Sequence, residues 1–282
     1  MDKNKITEAL LKTSVGLMDK SSWQLHSPIV ETHFHLDYLK QADPKDIMTF
    51  AQSLGITKAI TISVSASNIA EVLPLALNNE GLFTTQGIHP HHAIEWNEQL
   101  EEIMKQNATH PKVVAIGEIG LDYFYNHSPP DVQKKVFRRQ LELSIEFDLP
   151  IIVHSREADS DTINILSEYM PDLTRKGVIH SFTSERPLLD FALEQEFYVG
   201  FNGIITFKSA QNVRESLAVT PIERIVLETD APFLTPMPFR GRENAPFYLP
   251  FIADSMAQQK KIEARTLLSQ IYQNTHQLFY KI

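Results

Sequence analysis

The chain has 282 residues, with 26 Lys and Arg against 35 Asp and Glu for a formal charge of −9, and no cysteine. Its 43% hydrophobic and 22% charged residues are enough to bury a large core, which excludes wholesale disorder. Disulfides, thiolate zinc and a Cys nucleophile are excluded as well, and the acidic total argues against passive adhesion to nucleic acid or anionic membrane.

Residues 1–27 show helical spacing from Ile6 to Lys12, interrupted by Gly16 and the Ser21-Ser22 pair. They lack the apolar stretch and cleavage site of a signal peptide, and are read as an N-terminal extension to one domain over 28–282. No run approaches the ~18 apolar residues of a membrane span, so a monomeric cytoplasmic protein without a membrane partner is expected. From Pro28 onward, β-branched runs at 29–33, 59–64, 82–89, 113–118, 151–154, 177–180, 197–202 and 225–230 predict strands. Helical periodicity falls between them, at 44–54, 66–77, 131–147, 157–169 and 187–195. The helix at 131–147 is the clearest, behind a Ser128-Pro129-Pro130 start signal. Eight alternating units imply a parallel sheet that closes into a TIM (β/α)8 barrel, with a distorted variant allowed. An open doubly wound sheet would carry a Gly-rich turn after its first strand, where this chain has Thr32-His33-Phe34-His35-Leu36-Asp37.

Five of these strands end on metal-ligand chemistry: His33 and His35, Glu118, His154, His180 and Asp230. Barrel strands point their C-terminal ends to one face, so residues distant in sequence can converge there. His33 and His35, two apart, project to the same side of an extended strand. The set suits two divalent cations, with a carboxylate able to bridge them. Two ions against the carboxylates of Glu118 and Asp230 leave a local positive charge able to attract a phosphodiester despite the acidic whole.

These residues lie in motifs that resemble the TatD-type metal-dependent deoxyribonuclease family of amidohydrolase-like barrels. The motifs are Glu31-Thr32-His33-Phe34-His35-Leu36-Asp37, Gly87-Ile88-His89-Pro90-His91, Gly117-Glu118-Ile119-Gly120-Leu121-Asp122-Tyr123, the stretch 150–158 around His154-Ser155-Arg156, His180-Ser181-Phe182 and Glu228-Thr229-Asp230-Ala231-Pro232, in the family's order. The resemblance implies a distorted TIM barrel that hydrolyses DNA phosphodiesters, acting on single strands or duplex ends as an exonuclease. It implies that His33, His35 and Asp230 bind one ion, that Glu118 bridges, and that His154 and His180 bind the second; zinc, manganese or magnesium would serve. Asp230 would orient or deprotonate the attacking water, and His89, His127 and Arg156 would face the substrate. Two departures stand out: Glu31 replaces the family's usual Asp, and Glu243-Asn244 interchanges the acid and amide of the late loop.

Other readings compete at single positions. Glu228 faces the same side as Asp230 and is expected to support a ligand, while Asp122 reads as a loop brace and His91 and His92 as solvent-facing. Lys208, Arg240 and Arg242 read as surface charge, and Tyr123, Phe124 and Tyr125 as either base-stacking groups or loop packing. A hydrolase of small amides, lactones or phosphoesters on the same barrel is the rival function. Glu118 stands where such enzymes often carry a carboxylated lysine. A nonenzymatic nucleic-acid-binding protein is a second rival, disfavoured by the intact ligand set.

Overall fold

The β-branched runs form strands β1 (Ile29–Phe34), β2 (Ile56–Thr61), β3 (Leu82–Gln86), β4 (Val113–Asp122), β5 (Ile151–Arg156), β6 (Gly177–Ile179), β7 (Tyr198–Phe201) and β8 (Ile225–Leu227). This computed structural model describes residues 28–125 and 127–282, so the extension read over 1–27 lies outside the described residues. All neighbouring strands pair in parallel, in the order β1 to β8. The ring is drawn together where Phe34 bridges Ala231 and the Asp230 N–H donates to the His33 carbonyl at 2.9 Å. The architecture is the expected distorted TIM barrel. Register shifts fall on β1 between Glu31 and Phe34 and on β4 between Ile116 and Ile119, beside His33 and Glu118 respectively. Such irregularities bend a strand locally and re-aim its side chains.

The described helices are α1 (Pro44–Gln52), α2 (Ile69–Asn78), α3 (Glu98–Ala108), α4 (Pro130–Phe147), α5 (Asp159–Tyr169), α6 (Arg186–Glu194), α7 (Gln211–Val219), α8 (Leu249–Lys260) and α9 (Ala264–Leu278). Periodicity singles out five of them; α3, α7, α8 and α9 emerge only in the structure. No helix among the described residues is long and apolar enough to cross a membrane.

The period-2 alternation of the strands explains where the site lies. Ile151, Val153, Ile179, Ile225 and Leu227 face outward and join the layer packed beneath the helices. Ile152, Val178 and Val226 face inward and fill the barrel with Ile60 and Val114. Leu278 and Phe279, at the end of α9, close this interior cluster from below, and the Lys281 ammonium donates to the Val113 carbonyl at 3.1 Å. Fully burying an aliphatic or aromatic side chain contributes about 1.5–3 kcal/mol each, so this layer is a firm floor. The next inward positions are polar. His154 follows Ile152 by two, His180 follows Val178 by two, and Glu228 and Asp230 continue the phase of Val226. The site is thus the upper, charged continuation of an apolar barrel interior.

Candidate metal centre

Glu118 is the hub. Its Oε2 lies 3.3 Å from His33 Nε2, while Oε1 lies 3.0 Å from His154 Nδ1, 3.4 Å from His89 Nε2 and 3.6 Å from His180 Nε2. Asp230 Oδ1 is 3.5 Å from His35 Nε2 and 3.8 Å from His33 Nε2. The six strand-end residues singled out as ligands are therefore brought into one bowl, four strands supplying the imidazoles and carboxylates around Glu118. Three groups place their ligand atoms within 4.8 Å of one another: His33–His35–Glu118, His89–Glu118–His154 and His33–His180–Glu228. Asp230 itself has φ +57°, in the left-handed region, where Asp is better tolerated than most residues.

The electrostatics favour a cation. Burial alone would raise the Glu118 pKa, yet His89, His180 and His33 hold it well below the ordinary carboxylate value. Burial likewise opposes the Asp230 charge, and the hydrogen bond from His35 with the charges of His180 and His33 keeps its pKa low. For His180, burial pulls downward but Glu228 and Glu118 outweigh it, pushing the pKa up to about 10. His33 stacks on His180 with centroids 3.5 Å apart, and burial followed by that neighbouring charge lowers its pKa. Protons thus enter the cluster to offset buried carboxylates. Both ring nitrogens of His33 and the Nδ1 atom of His35 are buried with no hydrogen-bond partner among the described residues. Bare imidazole nitrogens facing ionised carboxylates form a donor set that fits a divalent cation, whose binding would release those protons.

Neighbouring contacts set the orientation of these ligands. Glu228 Oε1 is 3.1 Å from His180 Nδ1 and accepts the Ser181 N–H at 2.7 Å, so it stands behind His180. Its space comes from Gly200 on β7, where a Cβ would lie 2.5 Å from Glu228 Oε2. Asn202 donates to Ser181 Oγ at 2.8 Å and completes this corner. Asp122 Oδ2 lies 3.1 Å from His154 Nε2 and 2.9 Å from His91 Nε2, while its Oδ1 accepts the Tyr125 N–H at 2.9 Å. The brace expected of Asp122 therefore also grips a ligand. His91 departs from its solvent-facing expectation, because that carboxylate draws its ring inward. Sequence reasoning missed the pair, whose only signal was an uncompensated acid at the end of a fully buried strand. His92 does face solvent and pairs with Glu95.

His89 lies among possible ligands, but its tautomer distinguishes it. The His91 N–H donates to His89 Nδ1 at 3.1 Å, so the neutral ring carries its proton on Nε2, which lies 3.4 Å from Glu118 Oε1. Burial, outweighing the opposing charge of Glu118 and helped by His154 and His91, places the His89 pKa well below the ordinary value, which keeps the ring neutral. Glu31 is fully buried and ties β1 to β8 through the His33 and Thr229 N–H groups at 3.1 and 2.9 Å; burial raises its pKa to about 8. Arg156 lies at the rim over Phe124, and His127 is exposed and parallel to Tyr125 at 5.7 Å. Tyr123 packs the loop, donating to Asp161 at 2.6 Å, whereas Phe124 and Tyr125 stay exposed. Arg240 stacks on Phe207 and Arg242 on Phe239. In the interchanged late loop, Glu243 accepts the Lys40 and Gln41 N–H groups, and buried Asn244 donates to the Thr229 carbonyl at 2.9 Å.

A family model described as TatD related DNase matches residues 30–280. The chain belongs to the TatD family. It is 34% identical over 252 residues to the uncharacterized metal-dependent hydrolase YabD of Bacillus subtilis, covering 89% of this chain and 98% of that protein. The 3'-5' ssDNA/RNA exonuclease TatD of Erwinia tasmaniensis is 35% identical over 243 residues, covering 84% and 93%. Among solved structures, the TatD homolog YJJV of Escherichia coli matches with a TM-score of 0.84 at 29% identity, covering 89% of this chain and 98% of that one. This TatD-family chain is accordingly a metal-dependent hydrolase.

Proposed function

We propose that this hydrolase cleaves phosphodiester bonds of DNA with two divalent cations in the Glu118 bowl. The observation that carries the reading is the Glu118 carboxylate, whose two oxygens face different imidazoles, Oε2 toward His33 and Oε1 toward His154 and His180. His33, His35 and Asp230 would hold one ion, His154 and His180 the other, with Glu118 between them. When bound, such ions polarise a phosphate oxygen and lower the pKa of water toward neutrality. The His-rich set favours zinc or manganese over magnesium, which prefers oxygen ligands.

The chain's own groups supply the remaining chemistry. Asp230, kept ionised and only partly covered at the mouth, accepts the proton of the attacking water on its carboxylate and holds that water in line. His89 Nε2 stands in the bowl 3.4 Å from Glu118, where its N–H can donate to a phosphate oxygen. Glu228 and Asp122 hold the His180 and His154 rings in their orientations. Arg156 and His127, on the rim, offer donors to flanking phosphates. The relative named as an ssDNA/RNA exonuclease supports nucleic acid over a small amide as substrate.

The test incubates purified protein with end-labelled single-stranded and duplex DNA, with and without EDTA, beside Asp230→Asn. Metal-dependent shortening of DNA that the variant loses by at least ~100-fold is expected for a group acting on the reacting water. Equal cleavage by wild type and variant, or a preference for small amides over oligonucleotides, would refute the reading.

A further inference from the structure

Large exposed rings are concentrated around the bowl. Phe124 and Tyr125, each 50% exposed, follow β4, and Phe233, 52% exposed, follows β8. With the strands in the order β1 to β8, β4 and β8 lie half the ring apart. These rings therefore stand on opposite lips of the mouth, and each reaches the centre through other rings. Tyr125 lies edge-on to His91 at 5.3 Å, His91 to His89 at 4.3 Å, and His89 Nε2 is 3.4 Å from Glu118. On the far lip, Phe233 lies 6.1 Å from the His35 ring. Its N–H donates to the Asp230 carbonyl at 2.9 Å and its carbonyl accepts from Asn244 Nδ2 at 2.5 Å, so its backbone is fixed. Solvent-exposed apolar groups clustered beside a polar site mark a binding surface.

Arg156 adds charge to the first lip. Its guanidinium carbon lies 4.1 Å from the Phe124 centroid and 4.8 Å from that of Tyr125. Among the described residues it has no carboxylate within ion-pair distance and donates no side-chain hydrogen bond. A second stacked arginine shows the contrast: Arg175 lies 4.2 Å over Tyr280 at the opposite end of the barrel, and Asp148 occupies its donors at 3.2 Å. Arg156 keeps its planar fork of donors for an anion.

Resting on the phosphodiesterase reading above, we propose that Phe124, Tyr125 and Arg156 form a base-and-phosphate platform on one side of the scissile bond, with Phe233 supporting a base on the other. In a duplex the base faces are covered by their neighbours, so rings on the lips gain contact only when a strand is single or its end is frayed. Every base has a π-face, so the platform tolerates any sequence, while the unpaired guanidinium takes the phosphate beside the stacked base.

The experiment uses the metal-loaded protein, single-stranded DNA carrying 2-aminopurine near its end, and an oligonucleotide with abasic positions there. Wild type should quench the aminopurine on binding and show a KM about 10- to 100-fold higher on the abasic strand, the range that stacking of one or two bases supplies. Phe124→Ala/Tyr125→Ala should remove most of the quench and most of that KM difference. Phe233→Ala should remove part of it, and Tyr280→Ala, at the other end, should change neither. Arg156→Gln should raise KM on normal and abasic strands alike and flatten the salt dependence. Hydrolysis by the double variant with unchanged KM and quench would overturn the platform while leaving the hydrolase reading standing. Quenching and tight binding without metal-dependent hydrolysis would support the platform and refute the hydrolase reading on DNA.

Discussion

Gly200→Ala tests how the bowl is held together. The added methyl would lie 2.5 Å from Glu228 Oε2 and 2.8 Å from Cδ, where carbon contacts settle at about 3.5–4.0 Å. Glu228 is almost wholly buried and bonded to the Ser181 N–H, so it must move by about 1 Å from that methyl, which disturbs its 3.1 Å contact with His180. Overpacking of this kind costs about 1–3 kcal/mol of stability. Loss of the carboxylate behind a ligating histidine lowers metal affinity by about 10- to 100-fold, or roughly 1.4–2.7 kcal/mol. The assay is calorimetric titration of metal-stripped protein with Zn²⁺ or Mn²⁺, run as a double-mutant cycle with Glu228→Ala. Because the clash requires the carboxylate, Gly200→Ala should cost little further affinity on the Glu228→Ala background. Additive losses, or wild-type affinity in the single variant, would refute the assignment of Gly200 as the recess for Glu228.

Three further outcomes follow from the same geometry. Asp122→Asn should weaken metal binding by about 10- to 100-fold in the same titration, because Asp122 orients His154; His91→Ala, which leaves that contact in place, should do so less. Removing the metal with EDTA should lower the melting temperature in calorimetry. An ion present at 1,000 times its Kd contributes about 4 kcal/mol, or roughly 8–16 °C for a chain of this size, and no shift would argue against ligation by the folded state. The Glu101 carboxyl, bonded by Arg139 and then Lys105 against the cost of burial, titrates near about 2 instead of its ordinary 4.5. Its contribution to stability is therefore complete above pH 4.5 and is lost as pH falls from there through 2, so Arg139→Gln should flatten urea midpoints across that window.

The ring of strands was legible because most of the β-branched runs end in a polar residue; His154 and His180 carry their phase from the apolar residues two positions earlier, and Asp230 from Val226 four positions earlier. Much of the helical layer was not. In α8 nearly every residue from Leu249 to Ala257 is buried, so no polar face marks a period. In α9, buried Asn274 donates to the Ile222 and Ile225 carbonyls and interrupts the apolar stripe. The ligands could be read, but what holds them could not: the contact of Gly200 with Glu228 depends on the register of β7 against β8, and the pairing of His91 with Asp122 spans two βα units. The His89 tautomer depends on a single backbone N–H that only the turn after β3 brings to Nδ1.

Leu278 and Phe279 give the barrel interior its base from the far end of the chain. During synthesis, residues 33 to 230 will have left the ribosome before those two can dock, so every imidazole and carboxylate of the bowl is available while the cylinder is still open underneath. A nascent chain in that state has an unsealed hydrocarbon interior and is exposed to aggregation until the end of α9 arrives. Replacing Leu278 and Phe279 by polar residues should therefore damage recovery of native enzyme far more than their distance from the chemistry suggests.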